Sequence, residues 1–291
     1  MDTTYIWELL INGVILGSSY ALLAAGLAVI FGVLNVVNFA HGALYMVGAF
    51  VAFFLIPHGG YWAGLLLSAA IMAAMGVALY EGLLRRLPPD GAFSRTLLLT
   101  LGLVMIIQNG AIMLWGAGAR QLPEDARPQG QLALGEVVVP AGRALIVVVA
   151  LVTLGALYLF LNWTQMGRAM RGVSQNPTAA LVVGISPTRI GRIAMALGVG
   201  LAGLAGATLA PVYTVSPQMG ITIVFKVFAI IVIGGLGSVP GAVIVSFGVG
   251  VLESFVGGYG SAMTQSVTVF LFMILIMLVR PQGLFSKEVR V

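Results

Sequence analysis

The chain has 291 residues, 60% of them hydrophobic and only 8% charged, with a net charge of +5 and a mean hydropathy of +1.08. Soluble domains carry about 25% charged residues, so this composition places the chain in a bilayer. There is no cysteine and there are only two histidines, which excludes disulfides, thiolate-ligated zinc or iron–sulfur centres and any His-rich metal cluster.

A membrane-crossing helix needs about 20 apolar residues for a hydrocarbon core about 30 Å thick. The first residues carry Asp2 and Glu8 without a basic stretch, so no cleavable signal peptide is expected. Leu9–Phe31, Val36–Ile56, Tyr61–Leu84 and Thr96–Gly116 then predict four spans. The polar stretch Gly118–Gly142 has room for a small loop structure at most, and Arg143–Leu161 and Ile193–Val212 predict two further spans. The run Val224–Phe255 would reach about 48 Å as one straight helix, and it is broken by Gly234-Gly235-Leu236-Gly237-Ser238-Val239-Pro240-Gly241. Ser266–Val279 is the last span. These runs predict an all-α polytopic membrane protein, a single transmembrane domain over 1–291 with about 8–9 transmembrane helices, including a broken or re-entrant Gly-rich pair.

Most of the 14 basic residues fall into three groups between the apolar runs. Arg85, Arg86 and Arg95 form one, Arg168, Arg171, Arg189 and Arg192 the second, and Arg280, Lys287 and Arg290 the third. The positive-inside rule assigns all three to the cytoplasmic face. Gly118–Gly142, where Arg120 and Arg127, with Arg143 just beyond, are matched by Glu124, Asp125 and Glu136, then lies outside with the N-terminus, and the C-terminus lies inside. Basic residues at membrane edges do not indicate a nucleic-acid partner. With Arg192 and Arg280 on one side, the broken run must cross twice or enter and leave on one side. Its bend falls within or near the membrane, where non-helical backbone is tolerated only if packed in protein or lining a cavity.

The middle basic segment, 162–192, holds a complete short helix. Asn176 is an N-cap, Pro177 suits the first helical position, Thr178–Val183 propagate the helix, and Gly184 ends it. Ser186-Pro187 repeats the start signal for the next span. The apolar Ala179, Ala180, Leu181, Val182 and Val183 would need cover, which favours a docking element for a cytoplasmic partner over a plain connector.

Four stretches carry a resemblance: Val37-Asn-Phe-Ala-His-Gly-Ala-Leu-Tyr-Met-Val-Gly48; Met166-Gly-Arg-Ala-Met-Arg171 with Gln175-Asn-Pro177 and Gly184-Ile185; Gly234–Ala242; and Arg280-Pro-Gln-Gly-Leu-Phe285. Together they resemble bacterial ABC-importer inner-membrane permeases of the branched-chain amino acid, LivH/LivM type, over nearly the whole chain. The resemblance implies a type II ABC importer-like permease. It implies two ATP-binding cassette subunits, a second permease (a heterodimer with a homologous chain), an extracytoplasmic solute-binding protein and the bacterial inner membrane. It also makes Asn176, Pro177, Thr178, Ala179, Ala180 and Gly184 the coupling helix to the ATPase. Branched-chain or other hydrophobic amino acids are the implied solutes, with amides, urea or aromatic acids as alternatives among related permeases. Ala43 and Val245-Ser246 depart from residues common in the family, near the presumed pathway.

No cofactor is expected in this chain. It has no GxxxxGK[ST] motif, so ATP would be bound by the partner subunits. Asn38, His41, Tyr45, Gln108, Asn109, Gly235, Gly237 and Ser238 are the pathway or gate candidates. For Asn35, Asn38 and His41 the alternative is satisfying backbone groups freed at a helix break. For Gln108 and Asn109 it is interhelical hydrogen bonding. Lys226 and Glu253 read as charges at the membrane edge, able to snorkel or pair. Gly13 with Gly17, and Gly198, Ala202, Gly206 and Ala210, read as small-residue packing faces. An ATPase-independent channel or secondary transporter is the rival reading. An intramembrane enzyme lacks a nucleophile–base pair.

Overall fold

A computed structural model describes residues 3–87, 92–135 and 137–285. Asp2, Glu136, Lys287 and Arg290 lie outside the described residues.

Helix α1, Thr3–Leu34, has 32 residues and is buried on every side from Gly17 to Ile30. A helix apolar all round belongs inside a bundle, and α1 is the column around which the others stand. Its two buried serines do not break this pattern. Ser18 Oγ donates to Val14 O at 2.8 Å and Ser19 Oγ to Ile15 O at 3.2 Å, so neither hydroxyl is left unpaired.

After α1 the chain leaves helical geometry at Asn35, whose φ is 52°. Helix α2, His41–Gly59, begins deep in the bundle. His41 Nε2 lies 3.1 Å from Leu23 O, about three turns back from the end of α1. Helices α3 (Tyr61–Gly82) and α4 (Ala92–Trp115) follow. The stretch read as a loop carries a two-stranded antiparallel hairpin, β1 (Gln131–Leu134) with β2 (Val137–Pro140), in the register Leu132 to Val139. Helix α5, Ala141–Trp163, leads to α6 (Gln165–Gln175) and α7 (Pro177–Val182), and α8 spans Pro187–Leu209. Then come α9 (Met219–Gly234), α10 (Val239–Tyr259) and α11 (Ala262–Val279).

Among the described residues seven helices are long and apolar enough to cross a membrane, and α9 and α11 are shorter apolar helices. With these two shorter helices the count reaches the nine apolar helices that an expectation of about 8–9 spans requires. The broken run is two antiparallel helices. Gly234 touches Gly241 at one end, and Lys226 meets Glu253 further along. Its bend packs on Gly32, near the end of α1, rather than at the middle of that column.

Both small-residue faces pack as expected. A Cβ on Gly17 would fall 2.8 Å from Phe247 Cα, and α1 and α10 lie close along this seam. Gly198 meets Ile30, and Gly206 meets Tyr45 and Ala49, which seats α8 against α1 and α2. Helix α4 is the exception to this packing. Its core contact is with α2, while Leu98, Met105, Ile106, Met113 and Leu114 are exposed.

Candidate functional site

The segment between α5 and α8 is built from side-chain caps. Thr164 Oγ1 accepts the Gly167 N–H at 3.0 Å and starts α6, a helix the sequence reading did not anticipate. Gly167, Met170 and Val173 form its buried face. Arg171 turns back, and its guanidinium donates to Leu161 O at the end of α5.

Asn176 joins the two short helices. Its N–H bonds Gly172 O at 3.1 Å, closing α6, and its Oδ1 accepts the Ala179 N–H at 2.9 Å, opening α7. Pro177 occupies the first turn, where a missing N–H costs nothing. Helix α7 ends in a Schellman pair. The Ile185 N–H reaches Ala180 O at 2.9 Å and the Gly184 N–H reaches Leu181 O at 3.0 Å, with Gly184 at φ 80°. Ser186 Oγ then accepts the Arg189 N–H at 3.4 Å and opens α8.

The expected apolar cover is only partly internal. Ala180 is buried against the chain, whereas Leu181, Val182 and Val183 are 59%, 85% and 72% exposed. Thr178 and Ala179 are exposed as well. The result is a short rigid helix, fixed at both ends, that presents three aliphatic side chains.

The gate candidates fall into separate groups. At the α1–α2 break, Asn38 Oδ1 accepts the Ala40 N–H at 3.1 Å, and Asn38 O accepts the His41 N–H at 3.1 Å. Asn38 therefore serves backbone groups freed by the break, and it borders a small void with Leu79, Leu99, Leu103 and Met195. His41 is fully buried, and its Nδ1 has no hydrogen-bond partner among the described residues. Tyr45 is buried one turn further along α2.

Gln108 and Asn109 sit on α4. Asn109 is exposed and bonds only its own helix, Nδ2 to Met105 O at 2.8 Å. An interhelical bond from Asn109 is thus absent among the described residues.

Gly235 and Gly237 form the third group, at φ 94° and 81°, and Ser238 Oγ caps α10 on the Gly241 N–H at 3.2 Å. Here two of the quoted motifs meet, a relation not visible in either alone. The C-terminal segment folds back so that the Leu284 N–H bonds Ile233 O at 2.8 Å and the Phe285 N–H bonds Gly234 O at 3.3 Å. These donors satisfy the last carbonyls of α9. The bend also shares a cavity of about 80 Å³ with α1 and α6, lined by Val29, Gly32, Met170 and Ser174.

Lys226 and Glu253 take the pairing option open to a bent run, and they do so inside the protein. Their side chains are 14% and 4% exposed, they form an ion pair between α9 and α10, and Tyr20 OH donates to the second Glu253 oxygen at 2.8 Å. A signal existed: the only two charges of the broken run stand roughly two and three turns from the glycine bend. Folding the run into a hairpin brings them level.

Residues 9–279 match the family described as branched-chain amino acid transport system, permease component. The chain belongs to this family. It is 30% identical to the high-affinity branched-chain amino acid transport system permease protein LivH of Salmonella typhimurium, over 97% of this chain and 96% of that protein. It is 29% identical to the corresponding BraD of Pseudomonas aeruginosa, over 96% and 95% of the two chains. It is also 28% identical to LivM of Salmonella typhimurium, over 91% of this chain and 67% of LivM. No solved structure matches. The fold is thus that of an all-α integral membrane permease of this family, and its capped α6–α7 segment lies between two of the family's membrane helices.

Proposed function

We propose that this permease is the membrane-spanning subunit of an ATP-driven ABC importer, and that α7 is the element through which separate ATPase chains drive it. The observation that carries this reading is the doubly capped α7 with Leu181, Val182 and Val183 exposed. Three adjacent aliphatic side chains on a rigid, polar-flanked helix suit a cleft on a partner protein. The caps let a push be transmitted rather than absorbed by fraying. Two ATPase subunits serve the assembly, and they bind the ATP, since the chain lacks a phosphate-binding GxxxxGK[ST] loop.

The Arg168, Arg171, Arg189 and Arg192 group surrounds α7, so this end faces the cytoplasm and the β-hairpin end faces outward, with the N-terminus outside and the C-terminus inside. The protein resides in a bacterial inner membrane.

The solute path runs between this chain and a second, homologous permease. The centre of the bundle is filled by α1, so a route through one chain would need a different packing. Helix α4 offers the contrary surface: little packed, with Asn109 and Gln108 mid-helix. A polar amide facing lipid there would be unfavourable; facing a path or a partner helix it is accommodated. Resemblance to both LivH and LivM, each named as a permease of a branched-chain system, supports a heterodimer. A solute-binding protein delivers solute from outside. The solute is a branched-chain or other apolar amino acid.

Reconstitution tests the reading. The permease pair, ATPases and binding protein in proteoliposomes should take up leucine, isoleucine or valine with ATP hydrolysis. Uptake restricted to an amide, urea or an aromatic acid would move the solute assignment and leave the ABC reading intact. Uptake without ATP would overturn both.

A further inference from the structure

Lys226 and Glu253 have no part in the reading above, yet they form the only buried ion pair among the described residues. The other two, Arg85 and Arg192 on Glu81, are substantially exposed. The buried pair ties α9 to α10. Tyr20 of α1 holds the second carboxylate oxygen at 2.8 Å, and Gln265 Nε2 of α11 donates to the Glu253 carbonyl at 3.2 Å. Four helices converge on one residue. Both carboxylate oxygens are engaged and Glu253 is 3% exposed, so no free group remains here for a solute.

Stability alone does not account for the pair. A buried ion pair can usually be replaced by well-packed apolar residues without loss, and the best-attested use of such pairs is fixing a register or biasing a switch. Ile230 and Ile233 of α9 and Val245 and Val249 of α10 are buried in the aliphatic core, and such packing is non-directional. The ion pair supplies direction, and it can be made and broken whole. At the other end of the same seam the two helices are linked through 235–238, with Gly235 and Gly237 at positive φ, and the C-terminal segment packs over this link through Gly283 and Phe285. One end is therefore a glycine joint and the other a single polar fastening.

We propose that Lys226, Glu253 and Tyr20 form a latch. It holds α9 against α10 and α1 in the present conformation, and it opens about the Gly235–Ser238 joint when the transporter passes to its other conformation. The proposal rests on the transport reading in requiring two conformations.

The cysteine-free chain allows a direct test in the complete reconstituted complex. Ile230 and Val249 each stand four residues from the ion pair toward the joint, so Ile230→Cys with Val249→Cys puts one thiol on each helix one turn from the latch and leaves Lys226 and Glu253 in place. Oxidation should abolish radiolabelled leucine uptake, and reductant should restore it. Uptake that persists in the oxidised form would show a static staple and overturn the latch. The second arm, needed if no disulfide forms, is Lys226→Met with Glu253→Met. This variant should assemble and hydrolyse ATP without dependence on solute, with uptake lost. Normal coupled uptake would overturn the proposal, and so would failure to assemble, which would make the pair a folding element. If the parent complex itself shows no solute-dependent hydrolysis, the transport reading has failed and the latch falls with it.

Discussion

Asn176 Oδ1 accepts the Ala179 N–H at 2.9 Å, and this one bond sets the angle at which α7 leaves α6. The Asn176 backbone already closes α6 on Gly172. A single residue thus belongs to the end of one helix and the start of the next, which is the link the proposed coupling through α7 requires.

Asn176→Ala should therefore uncouple more than it destabilises. Loss of an N-cap costs about 0.5–2 kcal/mol, which lowers the population of a short helix by a factor of roughly 2 to 30. The expected outcome is reduced solute-stimulated ATP hydrolysis at an unchanged thermal unfolding midpoint, with Asn176→Asp, which keeps the acceptor, close to the parent. A drop in the midpoint equal to that of a core variant would instead make the cap a folding determinant.

Gly237 should tolerate no side chain. Its φ of 81° and the Gly32 Cα 3.1 Å from an added Cβ leave no relaxed place for one. Gly237→Ala is expected to lower stability by roughly 1–2 kcal/mol, read as thermal unfolding in detergent. Gly248→Ala is the control, since Gly248 is helical, exposed and open around its Cα. Alanine there should be neutral or better. Equal effects at the two positions would argue against a fixed left-handed bend.

Orientation is open to single-cysteine labelling. Thr178 and Asp125 are both exposed, on α7 and in the short 3-10 turn Glu124–Ala126 ahead of the β-hairpin. In intact cells an impermeant maleimide should label Asp125→Cys and spare Thr178→Cys. The reverse pattern would invert the topology.

If α4 faces the second permease, Met105→Trp should act between chains. Met105 is 68% exposed, so the larger ring meets nothing in this chain. The expected result is normal membrane insertion with less of the second permease recovered on co-purification. Undiminished recovery would place α4 against lipid.

Legibility in the sequence followed the range of the interactions. The α7 caps are local: Asn176, Pro177 and Gly184 act within a few residues, and all three stand as expected. The apolar spans are legible because the bilayer imposes their length. Helix α6 escaped because its eleven residues are polar, basic and interrupted by Gly167 and Gly172, the pattern of a loop, while its burial of Met170 and Val173 depends on neighbours distant in sequence. The same limit hid the docking of Leu284 and Phe285 on the end of α9 and the bond from Tyr20 to Glu253. It also made Ala180 look like a docking residue, when its methyl is spent inside the chain and the exposed surface belongs to Leu181, Val182 and Val183.

That exposed surface offers the most direct test of the central claim. Val182 is 85% exposed, so Val182→Glu leaves this chain's own packing alone while putting a charge where an apolar cleft should close. The measurement is recovery of the ATPase chain with the tagged permease, together with solute-stimulated ATP hydrolysis in proteoliposomes. Coupling through α7 predicts that Val182→Glu inserts normally, loses the ATPase and shows no stimulated hydrolysis. A Val182→Glu permease that retains its ATPase and its full stimulated turnover would contradict it, and α7 would be a connector.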